Sequence, residues 1–121
     1  MKNTASKVKV LSAIENINRG GCGLAALVIG NALKKDGLTP QYFSETSIKE
    51  FERFSGFEHI VVGVKETGLV MDAEGTVKGP CKDYYTQHEI PEEILRKVVR
   101  HRPSWNRAFD RRSLLVLRYA V

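Results

Sequence analysis

Cysteine is scarce in this chain, and the little there is stands far apart. Cys22 and Cys81 form no CxxC pair, which argues against a structural zinc site. A single Cys22–Cys81 disulfide stays open as an alternative, though nothing else in the sequence asks for an oxidising compartment. No apolar run reaches the length that crosses a bilayer. Met1–Val10 lacks the apolar core and small-residue cleavage pattern of a secretion signal. From these absences we expect an intracellular, cytoplasmic protein with no membrane partner, no metal and no cofactor. Repeats, low-complexity tracts and linkers are lacking as well, so one domain over residues 1–121 is expected. A chain of this length can bury a core without cross-links.

Acidic residues are nearly missing from the last quarter. From Leu95 onward there are eight Lys or Arg against one acid, Asp110, while the preceding residues carry a slight excess of acid. The net charge of +5 therefore belongs to the segment 95–121. Such a segment reads either as a footprint for nucleic acid or an acidic protein, or as the solvated face of a helix. Within it Trp105 stands among Arg100, Arg102 and Arg107, an aromatic that can stack on a base.

What the chain does contain is a glycine-delivered thiol. Asn16 to Asn31 reads NINRGGCGLAALVIGN. Gly20 and Gly21 permit a sharp bend and close approach of another chain. Cys22 then opens a run that is apolar on nearly every face, as befits a central, covered helix. A thiol at a helix N-terminus faces free N–H groups and the positive end of the helix dipole, which favours the thiolate. The alternative is a small, inert core residue. Arg19, Gly20 and Gly21 beside it are candidate binding residues.

Along the rest of the chain, apolar spacing predicts a helix from about Lys7 to Ile17, with Thr4 and Ser6 as caps. The Cys22 helix should run to Lys35 and stop at Gly37. Gln41–Thr46 reads as loop. Ser47 and Glu50 form a capping box before a short helix ending near Ser55. The period then changes. Phe57–Val64 and Leu69–Asp72 read as two strands joined at Lys65–Gly68, a β-hairpin. Asp83–Glu89 reads as strand or loop, Pro91 starts a helix that stops before Pro103, Ser104–Phe109 adds a helical turn, and Ser113–Val121 reads as a strand. Helices first, hairpin after, predicts an α+β fold with a central Cys-bearing helix packed on a small antiparallel sheet.

The hairpin brings chemistry together. In a tight turn at Lys65–Gly68, His59 and Asp72 become cross-strand neighbours within hydrogen-bond reach. Asp72 would then set the tautomer of His59, and the other ring nitrogen would serve Cys22 as base. A register slip of one residue would separate them. Taken singly, His59 is an ordinary core-edge histidine and Asp72 a turn-forming residue. The backbone N–H of Cys22 and the Asn16 amide, with Asn18 as a second choice, are candidate donors to an oxyanion.

NxxxxGCG opening a helix, then HIVVGV, then LVMDAEG resembles the papain-like superfamily of cysteine hydrolases. The likeness lies with its compact members of Cys, His, Asp order: the NlpC/P60 cell-wall peptidases and the transglutaminase-like and arylamine acetyltransferase-like enzymes. The NlpC/P60 type carries His or an amide as third residue, so Asp72 points to the transglutaminase or general peptidase side. The resemblance implies a compact papain-like core, Cys22 as nucleophile, His59 as base and Asp72 as third residue. Asn16 stands six residues before Cys22, where papain-like enzymes carry a Gln for the oxyanion. The small size and the WNRAFDRR ending also resemble short cysteine peptidases of tailed phages, which would act in a host cell. The expected activity is that of a peptidase or amidase on a protein, peptide or small amide, with deamidase or acyltransferase as variants. A binding module that grips nucleic acid or an acidic protein through residues 95–121 is the rival from outside the enzymes.

Overall fold

The computed structural model describes residues 2–14, 22–44, 49, 59–76 and 88–100. The expected helices over 47–55 and 104–109 and the expected strand over 113–121 lie outside the described residues, apart from position 49. So do residues 57–58 of the first hairpin strand and 83–87 of the segment left open between strand and loop.

The fold is α+β. Helix α1 spans Lys2–Ser12, α2 Cys22–Lys35 and α3 Glu92–Arg100. The strands are β1 Pro40–Ser44, β2 Ile60–Val64, β3 Val70–Asp72, β4 Gly75–Thr76 and β5 His88–Ile90. They form one antiparallel sheet in the order β4-β3-β2-β1-β5. No helix among the described residues is long and apolar enough to cross a membrane.

Helix α2 is the centre of the main core. Leu24, Leu27, Val28 and Leu33 pack on Tyr42, Ile60, Val62, Val64 and Met71 from one face of the sheet, with Leu11 of α1 and Leu95 of α3 closing the sides. The helix ends as its sequence predicts. Gly37 takes a φ of +78°, the Leu38 N–H donates to the Leu33 carbonyl at 2.9 Å, and the Gly37 N–H donates to the Lys34 carbonyl at 3.0 Å. That pair of bonds is a Schellman motif, which satisfies carbonyls the helix leaves open.

Two expectations need correction. Helix α1 begins at Lys2 and ends at Ser12, earlier at both ends than the apolar spacing of Val8, Leu11 and Ile14 predicts. Its cap is not local. Asp36, just past the end of α2, takes the Asn3 N–H at 3.1 Å and the Thr4 N–H at 2.8 Å, and it also takes the Asn3 amide and the Thr4 hydroxyl. A carboxylate at a helix N-terminus meets both the free N–H groups and the dipole. The Thr4 hydroxyl bond is the largest influence on Asp36. With the other three bonds, and against partial burial, it holds the carboxyl far below its ordinary range. A carboxyl lowered in the fold stabilises it above the unfolded value of about 3.9, and that contribution fades as pH falls toward the folded value. Wild-type protein should therefore lose urea resistance below about pH 5 by an increment that Asp36→Asn does not lose. Equal acid sensitivity of the two proteins would remove Asp36 from this role.

The second correction is β1. Gln41–Thr46 reads as loop in the sequence, yet Pro40–Ser44 forms a strand between β2 and β5. Tyr42 points into the α2 core and Phe43 packs on Val61 and Val70 on the other face, both fully buried. An internal strand buried on both faces shows no apolar–polar alternation. Pro40 is tolerated because it is the strand's first residue.

Candidate active site

The β2–β3 hairpin turns at Lys65–Gly68, as the sequence indicates. The Thr67 and Gly68 N–H groups both donate to the Val64 carbonyl, and Gly68 takes a φ of +73°. Val62 pairs with Met71 and Gly63 with Val70. Carried onward, this register sets Asp72 opposite Val61, so His59 lies one diagonal step away on the same face. The two side chains still meet, because a diagonal neighbour is within reach of a long side chain.

His59 Nε2 donates to Asp72 Oδ2 at 3.2 Å. An ionised carboxylate can only accept, so this bond puts the proton of a neutral ring on Nε2 and leaves Nδ1 as the basic nitrogen. The other carboxylate oxygen, Asp72 Oδ1, takes the Glu74 N–H at 2.8 Å. Asp72 is thus a turn-forming residue and the partner of His59 at once, so the two sequence readings of it are compatible. Burial is the largest single influence on Asp72 and pushes its carboxyl up. The bonds from His59 and Glu74, with the charge of the ring, outweigh burial and hold it below its ordinary value. The His59 side chain is 36% exposed and that of Asp72 17%, so solvent reaches the ring more readily than the carboxylate.

Cys22 is the first residue of α2. Short bonds fix the other end of that helix. The Lys65 N–H donates to the Thr39 carbonyl, and the Glu66 carboxylate takes the Thr39 N–H and hydroxyl at 2.8 Å each. The C-terminal end of α2 therefore sits beside the β2–β3 turn. From there the helix runs back across the sheet, Gly30 passing over the Tyr42 hydroxyl. At about 1.5 Å per residue it spans roughly 20 Å. Its N-terminus consequently lies toward the sheet end where β1 finishes, β2 begins beside His59, and β3 finishes at Asp72.

Strand alternation adds a constraint that is not legible in the sequence. Ile60, Val62, Val64 and Met71 face α2, whereas Val61 and Val70 face away, and His59 and Asp72 share the latter parity. The pair and α2 belong to different faces of the sheet. A path from the start of α2 to the imidazole therefore has to run around the end of the sheet, not through it.

Asn16, Asn18, Arg19, Gly20, Gly21, Cys81 and Trp105 lie outside the described residues, as do the basic residues beyond Arg100. The sequence reasoning did not find the role of the Glu74 N–H. Its signal was present in Asp72-Ala73-Glu74-Gly75, a short polar residue two positions before a backbone donor it can bond. Among the described residues, no group of three or more His, Cys, Asp or Glu is placed to hold a metal ion.

Comparison with protein-family models, with curated proteins and with solved structures returns no match.

Proposed function

We propose that this chain is a papain-like cysteine hydrolase that cleaves an amide bond through an acyl-enzyme on Cys22. The observation that carries the reading is the His59 Nε2–Asp72 hydrogen bond, at the end of the sheet toward which α2 begins. Nδ1 of His59 takes the proton of the Cys22 thiol. The thiolate sulfur bonds to the substrate carbonyl carbon, and the C=O electron pair moves onto oxygen. The Cys22 N–H and the Asn16 amide hold that oxyanion. When the oxyanion collapses, the C–N bond breaks and the amine leaves with the proton from His59. A water molecule, deprotonated by His59, then splits the thioester to release the acid and restore the thiol. Asp72 keeps the ring in the required tautomer throughout. Peptidase, deamidase and transamidase share this sequence of steps, the last with an amine in place of water, so the substrate class is a protein, peptide or small amide.

The test is the pH dependence of iodoacetamide alkylation, read separately on Cys22 and Cys81 by mass spectrometry of the intact chain's peptides. Cys22 should react faster than Cys81 near neutral pH, with a step below the ordinary thiol value of about 8.5. In His59→Ala that step should return to the ordinary range, and in Asp72→Asn it should move part of the way. Equal labelling of the two cysteines, unchanged by His59→Ala, would sink the proposal.

A further inference from the structure

The Asp72 carboxylate is held at both oxygens, one by the His59 ring and the other by the Glu74 N–H. Glu74 lies in the two-residue turn Ala73–Glu74 that joins β3 to β4, closed by the pairing of Asp72 with Gly75. Gly75 takes a φ of +114°. That value lies beyond the ordinary left-handed well near +50 to +70°, which a side-chain-bearing residue can enter at modest cost. A Cβ at position 75 would meet no atom of the described residues within 4 Å. Space is therefore not what demands glycine here; the backbone angle is. Any L-residue would rotate φ, and the rotation would shift the Asp72–Gly75 pair and with it the Glu74 N–H.

We propose that Gly75 is a positioning residue, whose backbone angle closes the β3–β4 turn so that the Glu74 N–H aims the Asp72 carboxylate at His59. Its importance for catalysis rests on the hydrolase reading, but its effect on the ring does not. Gly37 supplies the control. It also has a positive φ, +78°, a Cβ there would likewise meet no atom of the described residues, and it belongs to the far end of α2. Glu74 itself carries an exposed carboxylate, so Glu74→Gln separates its charge from the role of its N–H.

The experiment is a pH titration of the His59 ring by NMR in the full chain, with ring 15N shifts to read the tautomer and His59→Gln to assign the signal. Removal of the opposing charge in Asp72→Asn defines the limit without the carboxylate. Gly75→Ala should move the midpoint at least half of the way from wild type to that limit and reduce the share of Nε2–H tautomer. Gly37→Ala and Glu74→Gln should leave the tautomer unchanged. A folded Gly75→Ala with the wild-type midpoint and tautomer would overturn the proposal, and so would an equal shift in Gly37→Ala. Should Gly75→Ala fail to fold, D-alanine at 75, introduced by ligating segments at Cys22 and Cys81, takes positive φ without strain. That chain should titrate as wild type, and a shifted midpoint in it would overturn the assignment. Alkylation of Cys22 is not read in this experiment, so loss of the hydrolase reading and loss of the positioning role register separately.

Discussion

Phe43→Ala should cost about 3–5 kcal/mol, the range for truncating a buried aromatic. Phe43 is 3% exposed and packs with Val61 and Val70 on the sheet face away from α2. It sits in β1, which pairs on both sides, with Phe43 opposite Val61 of β2 and Glu89 of β5. Truncation leaves a cavity that an internal strand cannot close by moving, since it is bonded to two neighbours. Urea denaturation of Phe43→Ala beside Gln41→Ala measures the difference. Gln41 is partly exposed on the same strand and should cost far less. If residues 41–44 behaved as a surface loop, both variants would lose under about 1 kcal/mol, within the range of substitutions away from the core.

Gly30→Ala should destabilise by roughly 1–3 kcal/mol, the cost of forcing extra atoms into a packed site. Helix propensity alone predicts the opposite sign, a gain of about 1 kcal/mol for alanine in a helix interior. Packing wins because a Cβ at position 30 would fall on the Tyr42 hydroxyl. That hydroxyl cannot simply turn away. It donates to Glu92 Oε1 at 2.8 Å, and the same carboxylate takes Lys34 Nζ at 2.6 Å and Arg96 Nε at 3.3 Å. Burial first, and then the bond and charge of Glu92, hold the phenol far above its ordinary value, against a smaller opposing effect of Arg96. These influences favour the neutral phenol, which acts as the donor to Glu92. Tyr42→Phe alone should cost about 1.5–3 kcal/mol, the usual worth of a hydrogen bond to a charged group. The double variant should cost less than the sum of the two, because removing the hydroxyl relieves the collision. A neutral or stabilising Gly30→Ala in thermal melts would show that the helix can shift off the sheet at this point.

These two residues mark where local sequence reasoning stops. Gly30 lies inside an apolar helical run, where glycine reads as a mild defect, and its reason is a tyrosine on a strand twelve residues later. Tyr42 and Phe43 follow Pro40 in a short polar-flanked stretch that reads as loop, because a strand covered on both faces carries no alternating pattern. Helix α1 shows the same limit. Its apolar positions are legible, but its start is decided by Asp36, a group from the end of another helix.

The candidate site divides in the same way. The hairpin, its turn at Lys65–Gly68 and the meeting of His59 with Asp72 are determined by local sequence: a β-branched run and a shorter apolar one, a four-residue polar turn with a glycine, and a side-chain period of two. The actual register makes the pair diagonal and not directly opposed, yet they still meet, because a shift by two residues preserves the face. The helical run from Cys22 and its stop at Gly37 are determined locally too, by apolar composition and a glycine at the left-handed position. Only the tertiary structure decided that the pair belongs to the sheet face away from α2, that the start of α2 lies toward the sheet end holding His59 and Asp72, and that the Glu74 N–H holds the Asp72 carboxylate. The first two depend on which face of the sheet the helix chooses, a matter of long-range burial. The third is a bond made within the β3–β4 turn, where the backbone angles and not the letters set which N–H faces the carboxylate.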